Sequence, residues 1–484
     1  MTAALDLMRT HAALLPLIIA IVGAALAMLC PPRLSWGLAT LAALLCAFVT
    51  ADTSVRVLIA AAPLWSVAEG VPLLADGIGL FASPLIAAVA ALALAASGAV
   101  LSDIERRTWP LAMALVLCQL FGWLGALAAR DLAGVFVAIE TAWLASVALL
   151  AFSAGRTALG GALRMLGAGG VGSALFLCGV GIFYRSVGTL ELSAIATAHI
   201  ESADAAALGA GLMLLGVALK AGVAPLHDWM GGAFTRPGGP AALVLGTVGV
   251  IGALAVIVRL AGYVATSPTI GEGVSIALAV LGGASVVIGS VQAVGAHNLT
   301  RLAAYAGAAQ AGGILLCVAL GSPAGFAAAL VQLTALAAAA LALFGGAAAG
   351  GVQSLEHLDG LGRRAPLAGA AIMTGAISLM GAPLTLGFLG RWRLVEAGVG
   401  AGWWWAAGAV IFASLAGVFY GGRLIERLYF RRAGDLFHGP NDAWRWALAP
   451  MLAASIVAIA FGVSPAPLLT AADSAGALML GGLP

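Results

Sequence analysis

Hydrophobic and polar positions along this 484-residue chain come in blocks rather than in alternation. Long apolar runs, each near the ~20 residues that cross a bilayer as a helix, are separated by short stretches rich in Arg, Asp, Gly and Pro. The pattern predicts spans near residues 12–30, 35–52, 77–99, 109–129, 132–153, 164–184 and 206–224. A second set is predicted near 239–261, 273–293, 302–320, 324–350, 367–389, 402–422 and 446–469. The stretch 54–75, with Arg56 and Glu69, is too interrupted to span and reads as an extracytoplasmic loop. The expected fold is an all-α polytopic membrane protein of about 14 transmembrane helices.

Composition supports this class. Hydrophobic residues make up 62% of the chain and charged residues 9%, more apolar surface than a soluble domain of this size can hide. A formal net charge of +2 gives no reason to expect a nucleic-acid partner or an acidic soluble one. Cys30, Cys46, Cys118, Cys178 and Cys317 are scattered without a CxxC pair, so neither a disulfide framework nor a metal or Fe–S site is expected. The opening MTAALDLMRTHAALL runs straight into an apolar segment. With no small-residue cleavage site leading into a soluble domain, a cleavable signal is not expected.

Arginine placement orients the chain. Loops on one side hold Arg33, Arg106, Arg107, Arg156, Arg164, Arg236, Arg301, Arg363, Arg364, Arg423, Arg427, Arg431, Arg432 and Arg445. The other side holds Arg9, Arg56, Arg130, Arg185, Arg259, Arg391 and Arg393, the last two close to or within a span. This two-to-one bias puts the first set in the cytoplasm and both termini outside. The longest polar connection, 423–445, reads as a cytoplasmic, partly amphipathic interfacial stretch.

Against this background Lys220 stands out. It is the single lysine of the chain and lies inside the apolar segment LGAGLMLLGVALKAGVAPLHDWM. A lone ammonium there costs several kcal/mol by insertion scales, at about 2.5–3.5. Lysine, unlike arginine, gives up its proton readily when desolvated, so the position points to proton or cation translocation. Glu140 lies mid-span two spans earlier and is its natural partner. A close pair favours the charged form of both groups and a separated pair disfavours it, which makes the distance a switch for proton affinity. A static ion pair locking two helices is the plainer reading.

Four residues beyond Lys220, Ala224-Pro225-Leu226 interrupts the span, and Ala382-Pro383-Leu384 does the same eight residues before Arg391. Proline frees a backbone carbonyl, and such breaks persist at membrane depth only where protein or water resatisfies the backbone. Two broken spans at an odd five-span offset point to inverted repeats around a transport site.

His227 and Asp228 follow the first break. His227 suits a proton relay, while a helix cap with Trp229 as interfacial anchor is the alternative. Arg391 can gate electrostatically or orient a carboxylate such as Glu396, but it is a poor carrier of a mobile proton because guanidinium does not deprotonate in proteins. Asp76 reads as a helix cap, and Trp403, Trp404 and Trp405 as an interface belt. Gln292, Gln310, Gln332 and Thr334 are neutral polar groups in spans that can hold water.

These segments resemble a family. LKAGVAPLHDWMGGAF followed by RPGGPAALVL is similar to the signature of the antiporter-like membrane subunits of respiratory complex I and Mrp-type cation/proton antiporters. NLTRLAAYAGAAQAGGILL, GLGRRAP and GAPLTLGFLGRW resemble later segments of the same family, and the likeness runs over about residues 70 to 470. The resemblance implies fourteen helices with two inverted five-helix repeats. Glu140 matches the family's glutamate on the fifth helix, Lys220 the lysine on broken helix seven, and Arg391 the lysine usual on broken helix twelve. Val250 stands where helix eight usually carries a lysine or histidine. Thr300 replaces a basic residue before Arg301, and Ala306-Gly307 a serine pair. The input half is thus intact and the central relay altered, with water, Gln292, Gln310 and His297 as candidates to bridge it.

The expected organisation is N-terminal helices over 1–105, an input half-channel over 106–262, an output half-channel over 263–422, and a cytoplasmic connection with the last span over 423–484. The expected function is a membrane subunit that moves H+, or Na+, through Glu140, Lys220, His227 and Arg391. Asp228, Gln292, His297, Arg301, Gln310 and Glu396 are candidates for relay or gating. No cofactor is expected, since no redox centre, nucleotide site or quinone motif is visible, and the driving force would come from other membrane subunits. A component of a multi-subunit Na+/H+ antiporter and a degenerate structural spacer are the alternatives.

Overall fold

The computed structural model describes residues 13–59, 73–101, 104–152, 155–234, 240–350, 354–432 and 444–480. Arg9, Glu69 and Arg236, with most of the Pro-rich turn that follows the first break, lie outside the described residues. The described chain is helical almost throughout. The first group is α1 (Leu15–Leu29), α2 (Pro32–Ser54), α3 (Gly77–Ser97), α4 (Trp109–Ala128), α5 (Leu132–Phe152), α6 (Gly155–Val187), α7 (Ala203–Lys220) and the short α8 (Asp228–Ala233). The second is α9 (Pro240–Ala265), with a widened turn at Leu245–Gly249, α10 (Pro268–Gly295), α11 (Leu299–Ala319), α12 (Pro323–Gly350), α13 (Pro366–Met380), α14 (Leu386–Gly400), α15 (Trp404–Ile425), α16 (Trp444–Val463) and α17 (Ala466–Leu480).

Twelve helices among the described residues are long and apolar enough to cross a bilayer. The shorter α1, and α13 with α14 taken as one interrupted pass, are compatible with the fourteen expected. α9, α11 and α12 form the centre, with 94%, 94% and 100% of their most apolar windows buried, whereas α6 and α15 are only 28% buried and face outward. Leu163, Val171 and Leu177 of α6, and Ile411, Leu415 and Phe419 of α15, are exposed, as expected where hydrocarbon is the solvent.

The span expected over 367–389 is broken at the Ala382-Pro383-Leu384 interruption read from the sequence, because Pro383 cannot donate to the ladder and Gly381 turns left-handed at φ +81°. The structure departs from the hydropathy reading in three places. The span expected over 402–422 continues as helix to Phe430, where Arg427 pairs with Asp359 at 3.0 Å. An unforeseen helix, α17, follows Pro465. It packs near Gly77, Gly262 and Pro323, all at the same end of the bundle, so it lies across that end instead of crossing. Arg259, counted above as an extracytoplasmic loop arginine, sits on α9 with its side chain fully buried. It pairs with Asp76 at 2.5 Å and donates to Ala126 O and Ala129 O, both at 2.9 Å. Asp76 does cap α3, accepting from Gly79 N at 2.7 Å, and also accepts from Tyr263 Oη at 2.9 Å.

Candidate functional site

The site begins where α7 ends. At the break Gly222 adopts φ +71°, and Val223 N donates to Ala218 O at 3.0 Å, closing the helix C-terminus. The α13 break repeats this arrangement, with Ala382 N donating to Ile377 O at 3.0 Å. Groups freed by the first break are taken up by protein, as burial in a membrane requires. Trp229 Nε1 donates to Leu219 O at 2.9 Å, and Ala224 N to Ser285 Oγ at 2.9 Å. Trp229 is therefore an internal strut, 2% exposed, and not the interfacial anchor considered above.

Lys220, the last residue of α7, is 3% exposed. Its Nζ meets Glu140 Oε1 of α5 at 2.5 Å and Ser173 Oγ of α6 at 3.0 Å. Ser173 Oγ is itself 2.6 Å from Glu140 Oε1, and 2.8 Å from Gly169 O. Three helices thus converge on one triangle of amine, hydroxyl and carboxylate. The hydroxyl has two acceptors within reach, so it can keep a donor bond whether or not the carboxylate is present. The Trp143 ring lies 5.4 Å from Nζ and gives the ammonium a second favourable contact. Glu140 is less enclosed, its side chain 22% exposed, on the flank of α5 where Val137 and Leu144 also face outward. The close approach of α6 to α7 depends on glycine. A Cβ at Gly172 would meet Gly216 O at 2.7 Å, with Lys220 Cε at 3.5 Å.

Past the break, His227 is buried and its Nε2 contacts Gln292 Oε1 of α10. An amide offers either a donor or an acceptor, so it suits either ring tautomer. The Tyr305 ring packs edge-on to His227 at 5.8 Å, while the imidazole Nδ1 has no hydrogen-bond partner among the described residues. Asp228 is exposed at the start of α8, so it stands outside this buried group. Arg301 donates to Gly231 O at 3.1 Å and fastens α8 to α11.

At the second break Arg391 is buried, and its guanidinium turns back onto the end of α13. Nη1 donates to Met380 O at 2.6 Å and to Ser414 Oγ at 2.5 Å, and Nη2 to Leu379 O at 2.5 Å. Gln310 Nε2 also donates to Leu379 O at 3.1 Å, while Gln310 Oε1 accepts from Gln332 Nε2 at 2.8 Å. Glu396 is not its carboxylate: Glu396 is largely exposed and pairs with Arg393 at 3.6 Å. His297 is exposed in the turn between α10 and α11, apart from the buried groups at either break.

Hydropathy gave no hint of Ser173, Ser285, or the Gln119–Ser146 pair at 2.7 Å. Gln119 Nε2 would lie 3.1 Å from a Cβ on Gly249, so a neighbouring helix brings a polar group beside the turn that carries Val250. The only sequence signal for such groups is a small polar residue inside an apolar run, which most often bonds its own helix.

A transmembrane family model described as NADH:quinone oxidoreductase/Mrp antiporter matches residues 129–417, the region holding both breaks. A curated relative, NADH-quinone oxidoreductase subunit N of Cereibacter sphaeroides, is 30% identical over 96% of this chain and 98% of its own length. Its counterpart from Ectopseudomonas mendocina is 28% identical over 76% of each chain. A chain of respiratory complex I from Thermus thermophilus superposes with a TM-score of 0.78 at 26% identity, over 94% of this chain and 98% of that one. A chain of the Mrp complex from Dietzia sp. shares the fold at a TM-score of 0.82 and 23% identity, over 98% of this chain and 97% of that one. A buried amine on a broken helix, a second break of the same form, and matches spanning nearly the whole chain lead to one conclusion: this protein belongs to the NADH:quinone oxidoreductase/Mrp antiporter transmembrane family.

Proposed function

We propose that the chain is a proton-translocating, antiporter-like membrane subunit of a complex I-like NADH-quinone oxidoreductase, equivalent to subunit N. The observation that carries this reading is the Lys220–Ser173–Glu140 triangle at the end of a broken helix. While Glu140 is in contact, the ammonium is held. When the carboxylate moves off, Ser173 can turn to Gly169 O, and the amine is left in a dry site that favours release of its proton. His227 and Gln292 lie just past the break and suit the uptake side of the path. Partners would be other membrane subunits, which supply the driving force.

α7 starts beside the start of α10, where a Cβ on Gly273 would lie 3.0 Å from Ala207 Cβ, whereas α13 starts near the far end of α10, where Leu355 N bonds His297 O and Arg423 bonds Ala296 O. This supports inverted halves over 106–262 and 263–422. The bacterial relatives support a cell-membrane location, and the arginine bias supports both termini outside.

The test is Lys220→Ala and Lys220→Arg in the assembled complex, reconstituted in vesicles with an internal pH dye. Both should lower proton flux about tenfold or more, equivalent to at least about 1.4 kcal/mol on the transfer barrier. Normal flux in Lys220→Ala, with assembly intact, would mean that the pair only locks α5 to α7 and that the chain is a spacer. The fold shared with the Mrp chain favours a second reading, a large membrane component of a multi-subunit Na+/H+ antiporter. Copurifying proteins decide between them: flavin and Fe–S proteins for the first, small membrane proteins alone for the second.

A further inference from the structure

The two broken helices end alike but are finished by chemically different cations. At the first, the carbonyls are satisfied by Trp229 and by the helix's own turn, and Lys220 points away to Ser173 and Glu140. At the second, the cation itself is the cap. The Arg391 guanidinium takes Met380 O, Leu379 O and Ser414 Oγ, so its charge sits on the negative end of the α13 dipole. Among the described residues no carboxylate lies within ion-pair distance of it. Gln310 donates to the same Leu379 O and is itself held by Gln332, so the groups next to this cap are neutral amides. Gly381 is required for this seat. A Cβ there would lie 2.7 Å from Arg391 Cδ, and its φ of +81° disfavours any other residue.

We propose that Arg391 is a fixed-charge gate: a permanent cation, held by the end of α13, that repels protons arriving from the Lys220 side and does not carry them. Three features support this. Guanidinium keeps its proton under all physiological conditions. Three of its five N–H donors are committed to carbonyls and a hydroxyl of the chain itself, which fixes the guanidinium on the end of α13. Among the described residues its charge has no carboxylate partner to cancel it, so its field is little screened in an apolar interior. In this chain the second break therefore restricts flux, and Lys220 is the one site of the two that can exchange a proton.

The inference rests on the proton-transfer reading of Lys220, and the two can fail separately. The complex carrying this chain is reconstituted in vesicles, a potassium diffusion potential is imposed, and internal pH is followed for wild type, Arg391→Gln, Arg391→Lys, Lys220→Ala and the Arg391→Gln/Lys220→Ala pair. A gate predicts that Arg391→Gln raises passive proton flux several-fold and that adding Lys220→Ala abolishes the gain. Arg391→Lys keeps a cation that can deprotonate, and should also leak above wild type. It serves as the informative variant if Arg391→Gln fails to assemble. Flux as low in Arg391→Gln as in Lys220→Ala would make Arg391 a carrier and overturn the gate. Unchanged flux in both Arg391 variants would overturn it equally. If Lys220→Ala alone leaves wild-type flux intact, the reading of Lys220 fails, whatever the Arg391 variants do.

Discussion

Asp76→Asn isolates the energetic role of the buried clasp toward the C-terminal end of α9. Asn has nearly the shape of Asp, and its Oδ1 can still accept from Gly79 N, so the cap of α3 survives. What is lost is the negative charge facing Arg259, whose side chain is fully buried and 2.5 Å from Asp76. Arginine cannot shed its proton to escape the cost. Removing one partner of a buried pair typically costs about 3–5 kcal/mol, and the same loss is expected here. Asp76→Ala should cost more, because the cap goes as well, at about 1 kcal/mol. The Tyr263 hydroxyl, which donates to Asp76 at 2.9 Å, would also be orphaned, at about 1–3 kcal/mol. Replacing both charges, as in Asp76→Leu/Arg259→Met, should recover the ion-pair part of the loss, since an apolar pair of similar volume is often no worse than a buried ion pair, and leave the cost of the lost cap and the orphaned Tyr263 hydroxyl. Unfolding by increasing SDS fraction in mixed micelles, read by a short proteolytic pulse, measures these differences, and a double-mutant cycle gives the coupling. A cost below about 1 kcal/mol for Asp76→Asn would refute the argument, because it would mean that water reaches the guanidinium.

Two further outcomes follow from the geometry. Ser173→Ala removes the hydroxyl that bridges Lys220 and Glu140, whereas Ser173→Thr keeps it. The alanine variant should slow vesicle proton flux several-fold with assembly unchanged and the threonine variant should largely restore it, so equal rates for the two would show that the hydroxyl does not position the pair. Outside the membrane, Ser193's hydroxyl and then Arg130 hold the Glu191 carboxyl below its ordinary range. A depressed carboxyl contributes stability above its unfolded value and loses it as pH falls through the folded one. Because Glu191 is over one-third exposed, Glu191→Gln should cost no more than about 0.2–1 kcal/mol near pH 7. The difference in thermal midpoint from wild type should close as the pH drops through the carboxylate range, and a gap that persists in acid would contradict the assignment.

The sequence alone determined the membrane class, nearly all the spans, both helix breaks and the Glu140–Lys220 pair. Each of these is written in quantities local to the chain: apolar run length, a proline inside a run, an ionisable residue where insertion is costly. It misplaced features that depend on which helices meet. Arg259 lies toward the end of an apolar run and reads as a loop residue, until packing brings Asp76 from another helix onto it. Glu396 is five residues from Arg391 and looks like its partner, yet it lies on an exposed part of α14, and the guanidinium turns back to the carbonyls of α13. Ser173 and Gln119 are silent in hydropathy, because a lone small polar group scarcely changes the mean of its run. α17 was missed for the opposite reason: it is apolar, but lies across the end of the bundle, and length alone cannot separate that placement from the tail of a span. Hydrophobicity sets what enters the bilayer. Only tertiary packing decides which polar groups find each other there, because in hydrocarbon those partners come from other helices and not from solvent.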